Sequence, residues 1–524
     1  MDAPDVVLVG GGINGLVCAL VLARDGLTVQ VIEDKPAVGG GCRTEHPFPS
    51  APRLAASTGA HRVGLVPRDL ARLVGVELPV IRRDPSAFVP TREPGRFLLA
   101  GAGPDGAREA VASRSTADGR AVEAMHAELA EIAEDLAPAW LALPLSVEDT
   151  AARFVRPSRR EAMIALCRGS IAAYLDRFGI ADELTRAWLA ADALGGTFGG
   201  PSSAGTGAAL LVRFAARSAS AGDSVAHGGM GSLVRALSDA AQRAGVSILT
   251  GRAVTQILVE GNTTAGVALA GGEVVRASTV VSSADPSRLR ALVGADLLPA
   301  EYSRKIDGFA RGGSVTKVNL AMASLPVFRC LPEDRGQHAA TMHLLAPERP
   351  EAALEAAFAA ASSGRLPDAP PIECVIPTAA DPSLRDPEGR HHVSLLVPWA
   401  PYALAGTTWA AEEDGWIRKV LGVLDDLAPG AAREVVDAFT LHPKKLETHF
   451  GVTRGHIHHV DDAFVFADRL PYATPIGGLY ACGAGCAPAG GVFGAAGYNA
   501  AKRVLADLEL GLERTEIGRK PVVS

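Results

Sequence analysis

The stretch VVLVGGGINGL, residues 6–16, decides the fold of this chain. Four apolar, strand-forming residues run into the turn that contains Gly10, Gly12 and Gly15, and an apolar helical stretch follows. A second strand-like run, TVQVIE, then ends at Glu33. This order of strand, glycine turn, helix, strand and terminal acid is typical of a dinucleotide-binding βαβ unit. The sequence therefore predicts a bound adenine dinucleotide; the alternative is a glycine turn that binds no phosphate.

Each residue type in this unit has a physical task. Gly10 allows the tight turn from strand to helix, Gly12 lets backbone N–H groups approach a pyrophosphate, and Gly15 lets helix and strand pack closely. The helix N-terminus then presents unpaired donors and the positive end of its dipole to the phosphates. Glu33 is placed to accept hydrogen bonds from an adenosine ribose, and its charge would repel a 2′-phosphate.

A second glycine turn, Gly39-Gly40-Gly41, follows the acid and precedes Arg43 and Thr44. NAD does not require such a turn. It makes sense if the chain runs back along a longer cofactor whose pyrophosphate leads toward a buried ring system. The sequence therefore favours FAD as the cofactor.

The C-terminal segment GGLYACGAGCAPAGGVFGAAGYNAAKRVLADL, residues 477–508, carries the other strong signal. A short apolar strand leads into a glycine-dense turn that includes Gly483 and Gly491-Val492, and an amphipathic helix follows. This helix N-terminus would stabilise the negative charge of a reduced flavin near its N1–C2=O edge. The alternative is a C-terminal helix that only packs.

Length and composition exclude several classes of protein. A chain of 524 residues is long enough for two interlocked domains, and a net charge of −7 argues against nucleic acid as a partner. Seven scattered cysteines without a CxxC pair indicate neither a zinc site nor a disulfide framework, which favours the cytoplasm. Asp2 and Asp5, rather than basic residues, precede the first apolar run, so we expect no signal peptide. No apolar run suits a spanning helix, while peripheral membrane contact stays open.

The pattern along the chain predicts a discontinuous organisation. We expect an FAD-binding domain from residues 1–75, 225–305 and 441–510, a substrate domain from 76–224 and 306–440, and a C-terminal tail at 511–524. Ala-rich helices fill the region 76–224, where they either line a substrate cavity or simply pack. The predicted fold class is α/β, with a Rossmann-type, GR2-like FAD-binding domain interleaved with an α+β substrate domain.

Both ends of the chain and the block 226–286 resemble the phytoene desaturase-related FAD-dependent oxidoreductases, a class related to amine oxidases. Within them the chain is similar to the pyridine nucleotide-disulfide oxidoreductase domain-containing protein 2 type. The resemblance implies that the backbone of Val254 hydrogen-bonds the adenine edge and that Lys35 lies beside the ribose. One departure matters: the group usually has Thr-His-Pro-Gly-Gly-Gly in the last turn, whereas Cys486-Ala487 begins that stretch here.

These signals together define a set of cofactor-binding residues. The predicted set is Gly10, Gly12, Ile13, Asn14, Gly15, Glu33, Asp34, Lys35, Gly39, Gly40, Gly41, Arg43, Thr44, Val254, Gly483, Gly491 and Val492.

Polar residues near the expected flavin are the candidates for proton transfer. His456 and His458 alternate, so in an extended chain they would share one face, and imidazole suits proton transfer near neutral pH. Lys317 could contact flavin N5 through water, and His61 could approach the isoalloxazine. Each of the four could equally be structural. His459, next in the sequence, is a further candidate.

Three functions remain open at this point. The first is an FAD-dependent dehydrogenase or desaturase that transfers hydride to flavin from a hydrophobic isoprenoid, lipid or secondary-metabolite substrate. The second is an amine oxidase, or a saturase or isomerase, on the same scaffold. The third is a flavin-bearing interaction protein without turnover. No second strand–GxGxxG–helix unit follows Glu33, so we expect oxygen or a quinone as the electron acceptor.

Overall fold

The computed structural model describes residues 3–219 and 224–517. The strands in this part of the chain are β1 (Val6–Val9), β2 (Val29–Ile32), β3 (Thr44–Glu45), β4 (Ala56–Ser57), β5 (Val80–Arg82), β6 (Ala87–Pro90), β7 (Phe97–Ala100), β8 (Ser224–Ala226), β9 (Ser247–Leu249), β10 (Val254–Glu260), β11 (Thr263–Leu269), β12 (Val274–Arg276), β13 (Thr279–Ser282), β14 (Gly313–Met322), β15 (Thr341–Leu344), β16 (Ile372–Val375), β17 (His391–Pro401), β18 (Val435–Leu441) and β19 (Leu479–Ala481).

The α-helices in the same ranges are α1 (Ile13–Arg24), α2 (Leu70–Val74), α3 (Pro104–Ala112), α4 (Thr116–Leu136), α5 (Val147–Phe154), α6 (Arg160–Arg168), α7 (Ile171–Phe178), α8 (Glu183–Ala193), α9 (Thr206–Ser218), α10 (Met230–Arg243), α11 (Pro286–Val293), α12 (Ala300–Asp307), α13 (Pro350–Ser362), α14 (Pro377–Ala380), α15 (Trp409–Leu427), α16 (Pro443–Phe450) and α17 (Ala495–Ile517).

The opening motif builds a parallel sheet with the strand order β19-β13-β1-β2-β9. The central strand β1 is entirely apolar and buried, as expected for a parallel strand covered on both faces. Helices α1, α10 and α17 pack around it, and their apolar faces share one core with the sheet. The five strands come from distant parts of the chain, and the predicted α/β, Rossmann-type fold is confirmed.

A second, mostly antiparallel sheet has the order β18-β14-β17-β16-β15-β6-β7. Strands β14 and β17 are its longest and are buried along their whole length. This sheet carries Lys317 on β14. The substrate-side architecture is therefore a sheet with helices packed against it.

The prediction of helices from residue 76 onward is wrong for the first part of that region. β5, β6 and β7 occupy residues 80–100, and β6 and β7 close one edge of the seven-stranded sheet. Strands of three or four residues are too short to show a period of two, so their pattern was not visible in the sequence. The helices begin at α3, and α3 to α9 share a core with β6, β7 and α13.

The domain boundaries remain a prediction. Helix α17 continues through residue 510, where the sequence placed the start of a tail, and ends at Ile517. The rest of that tail, 518–524, lies outside the described residues, as does Asp2. Among the helices of the described ranges, none is both long and apolar enough to cross a bilayer.

Candidate active site

A cavity of about 420 Å³ runs between the parallel sheet and the seven-stranded sheet. Its walls come from the first glycine turn, from residues 39–43 and 59–65, from α8, α9, β14, β16 and β17, and from the loops before α17. The predicted cofactor residues that line it are Gly10, Gly12, Ile13, Asn14, Glu33, Asp34, Lys35, Gly39, Gly40, Gly41, Arg43, Val254, Gly483, Gly491 and Val492.

The other two predicted cofactor residues, Gly15 and Thr44, do not line the cavity. A Cβ on Gly15 would lie 2.3 Å from the Gly10 carbonyl oxygen, so this glycine serves the packing of α1 on β1. The hydroxyl of Thr44 accepts a hydrogen bond from the Gly231 N–H at 2.9 Å and is paired with Ser57 Oγ. Its polar atom is thus used to join two segments of the protein.

The first glycine turn is open toward the cavity. Gly12 is the N-cap of α1, and no atom lies within 4 Å of a Cβ built on it. Beside it, the Asn14 side-chain oxygen is buried and, among the described residues, has no hydrogen-bond partner. A helix N-terminus with an open backbone and an unpaired polar atom fits a dinucleotide pyrophosphate.

Glu33 lies at the end of β2 with a buried carboxylate. One of its oxygens accepts a hydrogen bond from the Gly11 N–H at 2.7 Å, and the other accepts one from the Lys35 N–H at 3.0 Å. Burial, aided by the neighbouring Asp34, raises the pKa of Glu33 to about 7. This carboxylate faces the cavity at the position expected for a ribose.

The second glycine turn packs against the first. The Gly39 N–H donates to the Gly11 carbonyl at 2.8 Å, and no atom lies within 4 Å of a Cβ on Gly41. Arg43 follows, nearly buried, with its guanidinium 5.5 Å from the centre of the Phe450 ring. The two turns form one continuous backbone surface along the cavity.

The last turn before α17 forms the opposite end of this surface. The Gly491 carbonyl accepts a hydrogen bond from the Leu65 N–H at 3.0 Å, which ties the turn to residues 59–65. Ala487, where the resemblance leads one to expect a histidine, is buried and does not line the cavity. Its carbonyl accepts the Tyr472 hydroxyl at 3.1 Å. In this chain, the residue at the position of the expected histidine is therefore part of the protein core.

The structure brings together Lys317 and His61, two of the four predicted catalytic residues. Lys317 Nζ lies 2.6 Å from His61 Nδ1, and His61 Nε2 lies 2.8 Å from Glu373 Oε1. Arg62 donates to both oxygens of Glu373, at 2.8 and 3.1 Å. All four residues line the cavity, and the three other than Arg62 are nearly inaccessible to solvent.

Burial governs the charges in this cluster. It lowers the pKa of Lys317 to about 7, although the charge of Glu373 opposes the shift. Burial and then the charge of Lys317 lower the pKa of His61 to about 3. For Glu373, burial alone would raise the pKa, but the charge of Arg62 and the hydrogen bond from His61 hold it well below its usual range. A neutral His61 donates from Nε2 to Glu373 and accepts at Nδ1 from Lys317.

A second buried ion cluster lies where α8 and α9 reach the cavity. Arg213 donates to both oxygens of Asp192 at 3.1 and 3.2 Å, and both residues line the cavity. Arg217 Nη2 and His343 Nε2 lie 2.9 and 3.2 Å from Asp192 Oδ1. Burial would raise the pKa of Asp192, but the charges of the two arginines hold it well below its usual range.

The prediction that His456 and His458 share one face is wrong. Residues 453–460 form turns, with Arg454, Gly455 and His459 at positive φ, instead of an extended strand. His458 lines the large cavity and pairs with Asp462, whereas His456 is buried against a separate small cavity. His459, the next residue, lines both cavities.

Sequence reasoning missed Glu373, Arg62, Asp192, Arg213 and Asp462. No local pattern in the sequence marks any of these five residues. Glu373 carried the best available signal, because an acidic residue inside the apolar run around β16 needs a buried partner.

Comparison with known proteins agrees with this geometry. The profile of the family described as flavin containing amine oxidoreductase matches residues 13–505. The pyridine nucleotide-disulfide oxidoreductase domain-containing protein 2 of Mus musculus is 31% identical over 555 residues, which cover 96% of this chain and 94% of the mouse protein. The hydroxyneurosporene desaturase of Cereibacter sphaeroides is 27% identical over 557 residues, which cover 96% of this chain and 98% of that protein.

Among solved structures, an oxidoreductase from Methanosarcina mazei superposes with a TM-score of 0.64 at 18% identity, covering 96% of this chain and 99% of that one. That likeness concerns the fold alone. The family match includes the second glycine turn and the last turn, and the mouse relative likewise covers nearly the whole chain. The chain thus belongs to the flavin containing amine oxidoreductase family and is an FAD-dependent oxidoreductase that acts on a substrate with an electron acceptor.

Proposed function

We propose that the protein is a dehydrogenase or desaturase of a hydrophobic substrate, such as an isoprenoid, a lipid or a secondary metabolite. The observation that carries this proposal is the apolar lining of the cavity away from the glycine turns. Aliphatic side chains of α9, β17 and neighbouring segments face it, among them Val212, Ala216, Leu396 and Leu65. Such a lining suits a ligand that binds by burial of apolar surface. The hydroxyneurosporene desaturase relative supports the same substrate class.

The residues of the glycine turns have a defined task in this proposal. Gly12 and Asn14 would hold the pyrophosphate, Glu33 the ribose, Val254 the adenine, and the turn at Gly491 the flavin ring. Bound FAD supplies the two-electron oxidation by accepting a hydride from the substrate. The protein binds and orients the substrate, excludes water and accepts a proton.

Oxidation of an amine is the second candidate, favoured by the family description. A substrate ammonium group would need a free carboxylate in the cavity. Glu373 and Asp192 are instead engaged by Arg62 and Arg213, and Lys317 adds a further basic group to the same wall. This charge balance favours the hydrophobic substrate over a cationic one. We propose oxygen or a quinone as the acceptor and the cytoplasm, with peripheral membrane contact, as the place of action.

The proposal is tested by anaerobic visible spectroscopy of the purified holoenzyme. We expect hydroxyneurosporene or farnesol in detergent micelles to bleach the flavin absorbance, and benzylamine to leave it unchanged. Empty micelles are the control for the effect of the detergent. Reoxidation of the bleached enzyme by air, compared with reoxidation by a short-chain ubiquinone, identifies the acceptor. Bleaching by benzylamine alone would establish the amine function, and no bleaching by any of the three probes would contradict the proposal.

A further inference from the structure

A second histidine–carboxylate pair faces the cavity from the loop between α16 and β19. His458 Nδ1 lies 2.7 Å from Asp462 Oδ2. The His458 side chain is 30% exposed, and the surface it exposes lines the cavity, whereas Asp462 is 14% exposed. His458 Nε2 makes no hydrogen bond to the residues described in the structure. One ring nitrogen is therefore fixed by the carboxylate and the other is available.

A fully buried arginine holds this loop in place. Arg469 has no solvent exposure, and its side chain donates only to backbone carbonyls and lies 3.8 Å from Asp462 Oδ1. The carbonyls that it bonds belong to His458, Val460, Asp461, Phe464 and Ala484. Because the Arg469 guanidinium donates hydrogen bonds to five backbone carbonyls, it fixes the position of His458 more tightly than packing alone.

Three glycines show how closely the pair is packed between its neighbours. A Cβ on Gly196 would lie 2.6 Å from His458 Nδ1 and 1.9 Å from Asp462 Oδ2. On the other side, a Cβ on Gly490 would lie 2.4 Å from the His458 Cβ, and one on Gly491 would lie 3.8 Å from Cε1. The imidazole thus lies between the last turn before α17 and the substrate-side segment that follows α8.

Burial would raise the pKa of Asp462, but its interaction with His458, including the hydrogen bond from that side chain, and the charge of Arg469 lower it. Asp462 is therefore ionised at neutral pH. An ionised carboxylate at Nδ1 selects the tautomer with the proton on Nδ1 and leaves a lone pair on Nε2, directed to the cavity.

We propose that His458 accepts the substrate proton, and that Asp462 and Arg469 are the positioning residues that hold it. This inference rests on the proposed dehydrogenase function. In the step, a substrate C–H bond gives its proton to His458 Nε2, and the electron pair of that bond forms the new C=C bond. The adjacent carbon loses a hydride to the cofactor, so the net reaction removes two hydrogen atoms from the substrate and forms one C=C bond.

Lys317 is the competing candidate, and its contacts make it the poorer one. Its side chain is 1% exposed, and its Nζ already lies 2.6 Å from His61 Nδ1. His61 in turn is engaged by Glu373. Lys317 therefore already has a partner within the protein, whereas the contacts of His458 leave Nε2 open.

The first test needs no substrate. In holoenzyme with ¹⁵N-labelled histidine, NMR of the wild type compared with H458Q identifies the His458 signals. We expect the tautomer with the proton on Nδ1, and in D462N a shift toward the Nε2–H form. An Nε2–H tautomer in the wild type, or a tautomer that does not respond to D462N, overturns the assignment.

The second test uses flavin bleaching by hydroxyneurosporene in micelles. H458Q should slow it by about 10²-fold or more, with the half-saturating concentration changed by less than about threefold. The control is H338Q, which removes a buried imidazole that does not line the cavity and should leave the rate unchanged. Equal FAD content and far-ultraviolet circular dichroism establish that the variants are folded. A wild-type enzyme that is not bleached contradicts the proposed function, whereas equal rates in wild type and H458Q contradict this inference alone.

Discussion

The two sides of the cavity are built on different principles. The cofactor side consists mainly of backbone, with open peptide groups at Gly12 and Gly41, and of the acid Glu33, whose carboxylate is held by two N–H groups. The substrate side consists of side chains, with Lys317 and the other buried ionisable groups of its cluster joined to one another across separate strands.

This difference determines what a substitution costs. A side chain added at Gly12 or Gly41, the open glycines of the cofactor side, occupies space that the ligand needs, while the protein itself has room for it. A side chain removed on the substrate side leaves a buried charge without its partner, which costs stability of the protein itself. Substitutions at the open glycines of the cofactor side should therefore lower FAD affinity, whereas substitutions on the substrate side should lower the free energy of unfolding. Experiments that measure the two quantities independently distinguish these effects.

The largest effect is expected within the cofactor side, where two neighbouring glycines have opposite roles. Gly15→Ala places a Cβ 2.3 Å from the Gly10 carbonyl oxygen, so α1 must move and the apoprotein should lose roughly 4 kcal/mol or more of unfolding free energy. Gly12→Ala meets no atom of the described residues within 4 Å and should cost only about 1 kcal/mol, because an N-cap prefers glycine over alanine.

Gly12→Ala should nevertheless abolish the yellow colour of the preparation, because its Cβ lies where the pyrophosphate is expected. Urea unfolding of the apoprotein and FAD titration separate the two effects. Full FAD affinity in Gly12→Ala would show that the cavity at this turn does not hold the cofactor.

The next largest effect is expected on the substrate side. Glu373→Gln leaves Arg62 and Lys317 without a counter-charge in a buried site and should cost about 3–5 kcal/mol of unfolding free energy. Glu388→Gln is the control, because Glu388 pairs with Arg53 at an exposed site and should cost less than about 1 kcal/mol. Equal costs for the two variants in urea unfolding would remove the proposed contrast between the two sides.

A smaller effect is expected at Glu33. Glu33→Gln removes the charge that should accept the ribose hydroxyls, and a hydrogen bond to a charged group is worth about 1.5–3 kcal/mol, or roughly 10- to 150-fold in FAD affinity. Fluorescence titration of the apoprotein with FAD measures this change. Asp25→Asn, an exposed substitution after α1, serves as the control and should leave the affinity unchanged. A Glu33→Gln variant with wild-type affinity would place the ribose elsewhere.

The same contrast explains what could be predicted from the sequence. The cofactor side depends on local order along the chain, with Gly10 to Glu33 forming one βαβ unit, so the parallel sheet, the α17 turn and most of the lining residues were predictable. Short strands were not: β6 and β7 show no periodicity in four residues, and they are stabilised in the folded sheet, where β6 pairs with β15 and β7 pairs with β6.

The substrate side is assembled by tertiary contacts that no spacing encodes. Lys317 and His61 were each visible as candidates, but their contact joins residues 256 apart, and Glu373 gave no motif. The alternation of His456 and His458 predicts a shared face only if this part of the chain is extended. The His459 N–H donates to the His456 carbonyl at 2.9 Å, so the backbone turns between the two histidines and their imidazoles are separated.

The smallest expected effect is the dependence of stability on pH at Lys317. Burial lowers its pKa from 10.5 to about 7, so between these values the unfolded lysine is protonated and the folded one is not. The unfolded state then binds more protons, and the stability of the wild type rises with pH through this window. Lys317→Met lacks this contribution. The difference in unfolding free energy, Lys317→Met minus wild type, should therefore fall by about 1–2 kcal/mol between pH 7 and pH 9.

Urea unfolding of both proteins at the two pH values measures this difference, and Lys502→Met on the exposed face of α17 is the control, for which it should stay constant. A constant difference for Lys317→Met would mean that the lysine keeps its proton in the folded protein. Glu373 would then balance a full charge on Lys317 as well as that of Arg62. The substrate side would carry one more positive charge at neutral pH than the pKa of Lys317 implies, and a substrate with an anionic group would bind there more favourably than a neutral one.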